Sequence, residues 1–199
     1  MSYSTALDRV LAPEGFVRSG RTWTRIQDGC RDAVNLQTSS HLGITANLLT
    51  QDLASDRILE EALPRHPGGI PFFYKRIGTL IDGQDRWWRH DPDGPTEVAD
   101  AVRTYGLPYF ERLRSLEEQA KRFGRFSPRW GSSLALRLYR AITLYRMGLL
   151  EEACLSLRDP PRRYPPIWLA DIEGVRRRLG CESCEAHGDG PPPPGPPPP

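Results

Sequence analysis

The stretch "FVRSGRTWTRIQDGCRDAVNLQTSS", residues 16–40, decides the fold. Apolar and polar residues alternate through it with a period of two, β-branched and aromatic side chains dominate, and Asp28-Gly29 stands near its centre. An Asp-Gly pair tolerates the positive φ angles that a two-residue hairpin turn requires. A turn at that pair sets the register: Gln27 faces Cys30, Arg25 faces Asp32 and Trp23 faces Val34. Opposite charges and an aromatic/β-branched pair then sit across from each other, which supports the register. "GITANLLTQ" (43–51) alternates again through Ile44, Ala46 and Leu48 and is expected as a third long strand.

Outward from this sheet the period changes. Upstream, "STALDRVLAPEGF" (4–16) carries Ala6, Leu7, Val10 and Leu11 at helical spacing, with Ser4 or Thr5 to cap the helix and Pro13 and Gly15 to stop it. Downstream, "SDRILEEALP" (55–64) is expected as a short helix capped by Ser55. "FFYKRIGTLI" (72–81) resumes a strand pattern, with a turn at Asp82-Gly83 and "DRWWRH" (85–90) as a short partner strand. A helix capped at Thr96 follows, interrupted by Gly106 and Pro108 and continued by "YFERLRSLEEQAKRF" (109–123). Antiparallel strands with helices on one side make an α+β, two-layer arrangement.

From Trp130 onward the chain is helical. "SSLALRLYRAITLYRMGLLEEACLSL" is a helix, a turn at Gly148 and a second helix, and "PIWLADIEGVRRRLG" is a third. The pattern Ala141, Leu144, Gly148, Leu150, Ala153, Leu157, Pro165 resembles a single tetratricopeptide-type hairpin, which cannot bury its own face without a neighbour. The end, "GDGPPPPGPPPP", cannot pack a core and favours an extended polyproline conformation. The expected organisation is an α+β domain over 1–126, a helical hairpin extension over 127–180 and a Cys/Pro-rich disordered tail over 181–199.

With 199 residues, 38% hydrophobic and 26% charged, the chain reads as globular. No run approaches the roughly 18 apolar residues of a membrane span, and the N-terminus has no apolar h-region, so a cytoplasmic location is expected. Twenty-five of the 27 basic residues are arginines, interspersed with acids except at Arg162-Arg163 and Arg176-Arg177-Arg178. A nucleic-acid binder concentrates its basic residues on one face, so that role is disfavoured. The triple arginine suits the C-terminal end of a helix macrodipole. The four cysteines are expected to be reduced, with no disulfide framework.

In order and spacing, "LAPEGFVRSGRTWTR", "VNLQTSS", "RIGTLIDGQDRWW" and "YGLPYFERLRSLEE" resemble the bacterial domain-of-unknown-function family 4304, over about residues 5–120. The resemblance implies a small α+β, bacterial, cytoplasmic domain. It brings no activity and no catalytic residues.

The adjacent tryptophans raise the sharpest functional question. On a strand, Trp87 and Trp88 point to opposite faces, so one enters the core and the other lies outside. A half-solvated sheet would set the outer indole beside Asn35, Gln37 and Arg76, a constellation suited to stacking and bidentate hydrogen bonding of a polar or anionic ligand or peptide. The alternative is that the helices at 96–105 and 107–122 cover both indoles. Cys181, Cys184 and His187 could supply three corners of a tetrahedral zinc site, with His66 or a second chain as the fourth; the same Cys-x-x-Cys would also suit a redox pair. A hydrolase could use His41 or His90 with nearby acids, for instance Ser39, His41 and Asp52 as a triad, but no nucleophile elbow, Walker sequence or HExxH motif is present. The reading is a non-enzymatic domain that binds a partner or ligand through its sheet, without a required cofactor. The enzyme and a zinc-clamped dimer are the alternatives.

Overall fold

The computed structural model of the protein describes residues 1–63, 73–89, 92–125, 134–158 and 164–181. His66, His90, Arg162, Arg163, Cys184, His187 and the proline-rich tail fall outside the described residues.

Five strands form one antiparallel sheet in chain order: β1 (Val17–Ser19), β2 (Thr22–Gln27), β3 (Cys30–Ser39), β4 (Gly43–Asp52) and β5 (Phe73–Arg76). Asp28 and Gly29 both take positive φ, 49° and 74°, so the β2–β3 turn is the tight one that Asp-Gly favours. The expected register holds, with Gln27, Arg25 and Trp23 opposite Cys30, Asp32 and Val34. It carries into β4, where Val34 meets Leu48 and Leu36 meets Ala46.

One face of the sheet is dry. Trp23, Val34, Leu36, Ile44, Ala46 and Leu48 are buried there, together with Leu7 and Leu11 of α1 (Tyr3–Leu11), Val98 of α4 (Gly94–Ala101) and Phe110 of α5 (Leu107–Arg112). Each large apolar side chain buried this way contributes roughly 1.5–3 kcal/mol. Between α4 and α5 the backbone widens into a π turn over Val102–Gly106. The expected interruption by Gly106 and Pro108 is therefore a bulge in a continuing helix, because a wider turn accommodates the missing proline N–H. The chain breaks later, at Leu113–Ser115, before α6 (Leu116–Arg125).

Four local expectations differ from the structure, the first being that α4 starts at Gly94, two residues before the expected start at Thr96, whose N–H already donates to the Asp93 carbonyl. Ser2, not Ser4 or Thr5, caps α1 by accepting from the Thr5 N–H at 3.1 Å. The helix α2 (Leu53–Ala62) starts two residues before Ser55, whose N–H is bound by the Asp52 carboxylate at 2.9 Å. The strand expected over 72–81 keeps its extended form only for Phe73–Arg76 and then turns into a short helix, α3 (Ile77–Ile81). Gly78 explains part of this: a Cβ there would lie 2.4 Å from the Arg86 nitrogen, so the returning chain packs directly on the α3 backbone.

The chain separates into two compact units, one of residues 1–57 and 68–119, the other of 58–67 and 120–199. In the second, α7 (Leu134–Arg146), α8 (Leu150–Leu157) and α9 (Pro166–Leu179) surround a core of Leu138, Ile142, Leu157, Ile172 and Val175, which Leu63 joins from the end of α2. Gly148 turns between α7 and α8 at φ 80°, as its position between two apolar runs predicts. Contrary to the expectation of reduced cysteines, Cys154 and Cys181 form a disulfide with Cα atoms 5.4 Å apart. Packing of α8 against the end of α9 brings together sulfurs that are 27 residues apart in sequence. No helix among the described residues is long and apolar enough to cross a membrane.

Candidate functional site

The second face of the sheet carries a polar row. Strand pairing places Thr22 of β2 beside Asn35 of β3, Asn35 beside Asn47 of β4, and Asn47 beside Arg76 of β5. Side chains opposite one another in antiparallel strands share a face, so four consecutive strands each present one polar residue to the same line. Asn35 Nδ2 donates to Thr22 Oγ1 at 2.9 Å. Asn47 Nδ2 donates to Gln37 Oε1 at 3.0 Å, and the Tyr74 hydroxyl donates to Asn47 Oδ1 at 2.9 Å. Arg76 Nη2 reaches the same Gln37 oxygen at 3.5 Å and the Tyr74 oxygen at 3.4 Å.

Trp87 and Trp88 divide between the two faces. Trp88 forms a single antiparallel bridge to Ile44, with both backbone hydrogen bonds at 2.8 Å, and extends the sheet beside the start of β4. Gly43, at φ 105°, is required beside it, since a Cβ would fall 2.2 Å from the Trp88 carbonyl oxygen. The bridge turns the Trp88 ring into the core, 5% exposed, where its indole N–H donates to Glu97 Oε2 at 2.8 Å. Trp88 therefore does not belong with the open-face residues: pairing with Ile44, a core-facing position, commits its side chain inward. Trp87, its neighbour, is half-buried on the other face and lies under the Arg76 guanidinium, 5.0 Å from its ring centre. Of the five residues proposed from the sequence, the structure gathers Gln37, Arg76 and Trp87, sets Asn35 on the same face bound to Thr22, and sends Trp88 into the core.

Three members of the cluster were not singled out as site residues. Asn47 and Tyr74 follow from the period-two alternation of β4 and β5, but only once β5 is known to lie beside β4. Asp85 opens the short strand expected after the Asp82-Gly83 turn; its carboxylate binds Arg76 Nη1 in a close ion pair. The Arg76 guanidinium holds the Asp85 carboxyl below the usual carboxylate range, and Asp85 in turn raises Arg76. Two donors of the cluster are shielded from solvent without a well-formed hydrogen bond, Arg76 Nε and Trp87 Nε1. The latter lies near enough to Asp85 to help lower its pKa, but not in hydrogen-bonding geometry. The turn at 82–86 partly roofs this end of the face, burying Thr45, whose hydroxyl donates to the Arg86 carbonyl at 3.0 Å. Asn35 and Gln37 stay partly open.

A second charged cluster lies on the dry face. Asp32, fully buried, accepts four hydrogen bonds: from Arg25 Nε (3.1 Å), Thr50 Oγ1 (3.0 Å) and both terminal nitrogens of Arg114 (3.1 and 2.5 Å). Arg25 also binds Glu111 at 2.7 Å and lies over the Phe16 ring. The adjacent Cys30 thiol is buried, and burial pushes its pKa up, with the Asp52 carboxylate adding to the effect. A thiol kept protonated is a poor nucleophile.

The hydrolase constellation does not assemble. Ser39 Oγ accepts from the backbone N–H groups of His41 and Leu42 in the β3–β4 turn. Asp52 closes the far end of β4, nine residues or roughly 30 Å away from Gly43, and binds Ser55 and Gln119 there. His41 is exposed; His90 falls outside the described residues. Cys181, one of the three proposed zinc ligands, is bonded to Cys154 and offers no thiolate in this state. No group of His, Cys, Asp and Glu side chains suited to a metal occurs among the described residues.

The family model of a domain of unknown function, DUF4304, matches residues 7–112, just over half of the chain. The chain belongs to the DUF4304 family. The matched region of this DUF4304 protein runs from within α1 to the end of α5 and includes all five strands, the polar row, Arg76 and Trp87. No curated protein and no solved structure matches the chain.

Proposed function

We propose that this DUF4304 domain is a non-enzymatic binding module that takes a polar ligand or peptide on the open face of its sheet, at the end of the row where Arg76 lies over Trp87. The observation that carries the reading is the convergence of Gln37, Asn47, Tyr74, Arg76 and Trp87 on one half-exposed spot. Amide and hydroxyl groups there can read a ligand's donors and acceptors, while a stacked guanidinium adds a bidentate cation. Specific polar readers beside an aromatic floor are the usual composition of a recognition site. The reading keeps the bacterial, cytoplasmic expectation, against which the Cys154–Cys181 disulfide is the feature that points to an oxidising compartment.

Titration with a panel of carboxylates, phosphates and short peptides, followed by tryptophan fluorescence, tests the proposal. A saturable change in the wild type that Gln37→Ala weakens and Trp87→Phe abolishes is the expected outcome. Equal responses from wild type and both variants would remove the face from consideration.

A further inference from the structure

Asp85 occupies an unusual place in this cluster. It stands on an exposed turn, its side chain 52% exposed, yet among the described residues it is the one carboxylate bound to Arg76, whose own side chain is 23% exposed. The turn carries its own support: Asp82 Oδ1 accepts from the Gln84 N–H at 2.9 Å, Asp82 pairs with Arg86 at 3.2 Å, and Gly83 takes φ 80°. Asp85 can thus rotate out to water without loss of the turn. Its bond to Arg76 leaves Arg76 Nε covered but unmatched, and Trp87 Nε1 lies near the same carboxylate without a well-formed hydrogen bond. A carboxylate tethered to the turn reaches only part of the donor set, and an untethered one can satisfy more of it. Orphaned donors cost free energy that a better-placed acceptor recovers.

Resting on the binding role proposed above, we infer that Asp85 is a built-in stand-in for a ligand carboxylate, and that the site binds a carboxylate-bearing ligand by exchanging it for Asp85 on Arg76 and Trp87. The acceptor already in place favours a carboxylate over a phosphate. Arg76 holds a planar carboxylate, that of Asp85, so a ligand carboxylate reproduces the shape the spot accommodates, whereas a tetrahedral phosphate does not. The exchange also sets specificity: a neutral amide cannot outcompete a paired carboxylate. The incoming group belongs either to a small organic acid or to an acidic peptide, the two sources of the same chemistry.

The test compares the full chain with Asp85→Asn and Arg76→Gln, using glutarate, glutaramide, inorganic phosphate and a fluorescein-labelled pentaglutamate peptide as probes. Tryptophan fluorescence reads the small molecules and anisotropy reads the peptide. Asp85→Asn should bind glutarate or the peptide roughly three- to fivefold tighter than wild type, the weight of one half-exposed ion pair. Arg76→Gln should lose that binding, and glutaramide should not bind any form. Preference for glutarate over peptide, or the reverse, identifies the source of the carboxylate. The inference is overturned if Asp85→Asn binds no tighter than wild type, if phosphate gains as much as glutarate, or if neither carboxylate probe binds. A probe whose binding Gln37→Ala weakens while Asp85→Asn leaves it unchanged would overturn the exchange and retain the binding face.

Discussion

The two faces of the sheet each hold an arginine–aspartate cluster, and they differ in what surrounds the aspartate. Asp32 is sealed against α5 and the loop after it, and four donors saturate its oxygens. Asp85 stands at the rim with one arginine and open water beside it. Arg114 leaves its Nε short of a close acceptor much as Arg76 does, but no exposed turn carries Asp32, so nothing can exchange with it. On the proposed binding role, the same pair of residue types is structural where burial makes it permanent and recognitional where exposure leaves it exchangeable. Net energy follows the same division, because breaking a buried pair strands a charge in low dielectric whereas an exposed pair is replaced by water.

The comparison breaks most directly by truncation. Asp32→Ala leaves Arg25 and Arg114 without their common anion and should cost about 3–5 kcal/mol in urea unfolding. Arg76→Ala should cost under about 1 kcal/mol; equal losses would erase the distinction between the faces. The tryptophans sharpen it next. Trp88→Ala should destabilise by about 3–5 kcal/mol, and Trp87→Ala by far less while removing the ligand response. The smallest effect concerns the Cys30 thiol beside the sealed cluster. Its folded pKa is raised, so its contribution is fully present below the unfolded value of roughly 8.5 and is lost as pH rises through the folded one. Between pH 8 and 10 the urea midpoint of the wild type should fall more steeply than that of Cys30→Ala. Parallel slopes would show that the thiol does not titrate differently on folding.

Much of this division was legible in the residues. The Asp28-Gly29 turn and the period of two set the β2–β3 register, and with it the cross-strand meeting of Arg25 and Asp32. Alternation also put Asn35 and Gln37 on one face and separated Trp87 from Trp88. Which indole went inward was not legible, because that depends on Ile44, more than forty residues away, accepting Trp88 as a bridge partner. The role of Asp85 was hidden for a related reason: an acid in a turn looks the same whether or not an arginine nine residues earlier lies within its reach. The Cys154–Cys181 bond was missed because helix packing, not spacing, brings those sulfurs together.

Local chemistry alone thus determined the strands, the hairpin, the helical second half and the polar character of one sheet face, since turn propensity and side-chain periodicity act over a few residues. Tertiary structure decided that β5 lies against β4, that Trp88 rather than Trp87 fills the core, and that Arg76 meets Gln37, Tyr74 and Asp85 at one spot. Those outcomes depend on which distant surfaces bury one another, and burial is a property of the assembled chain.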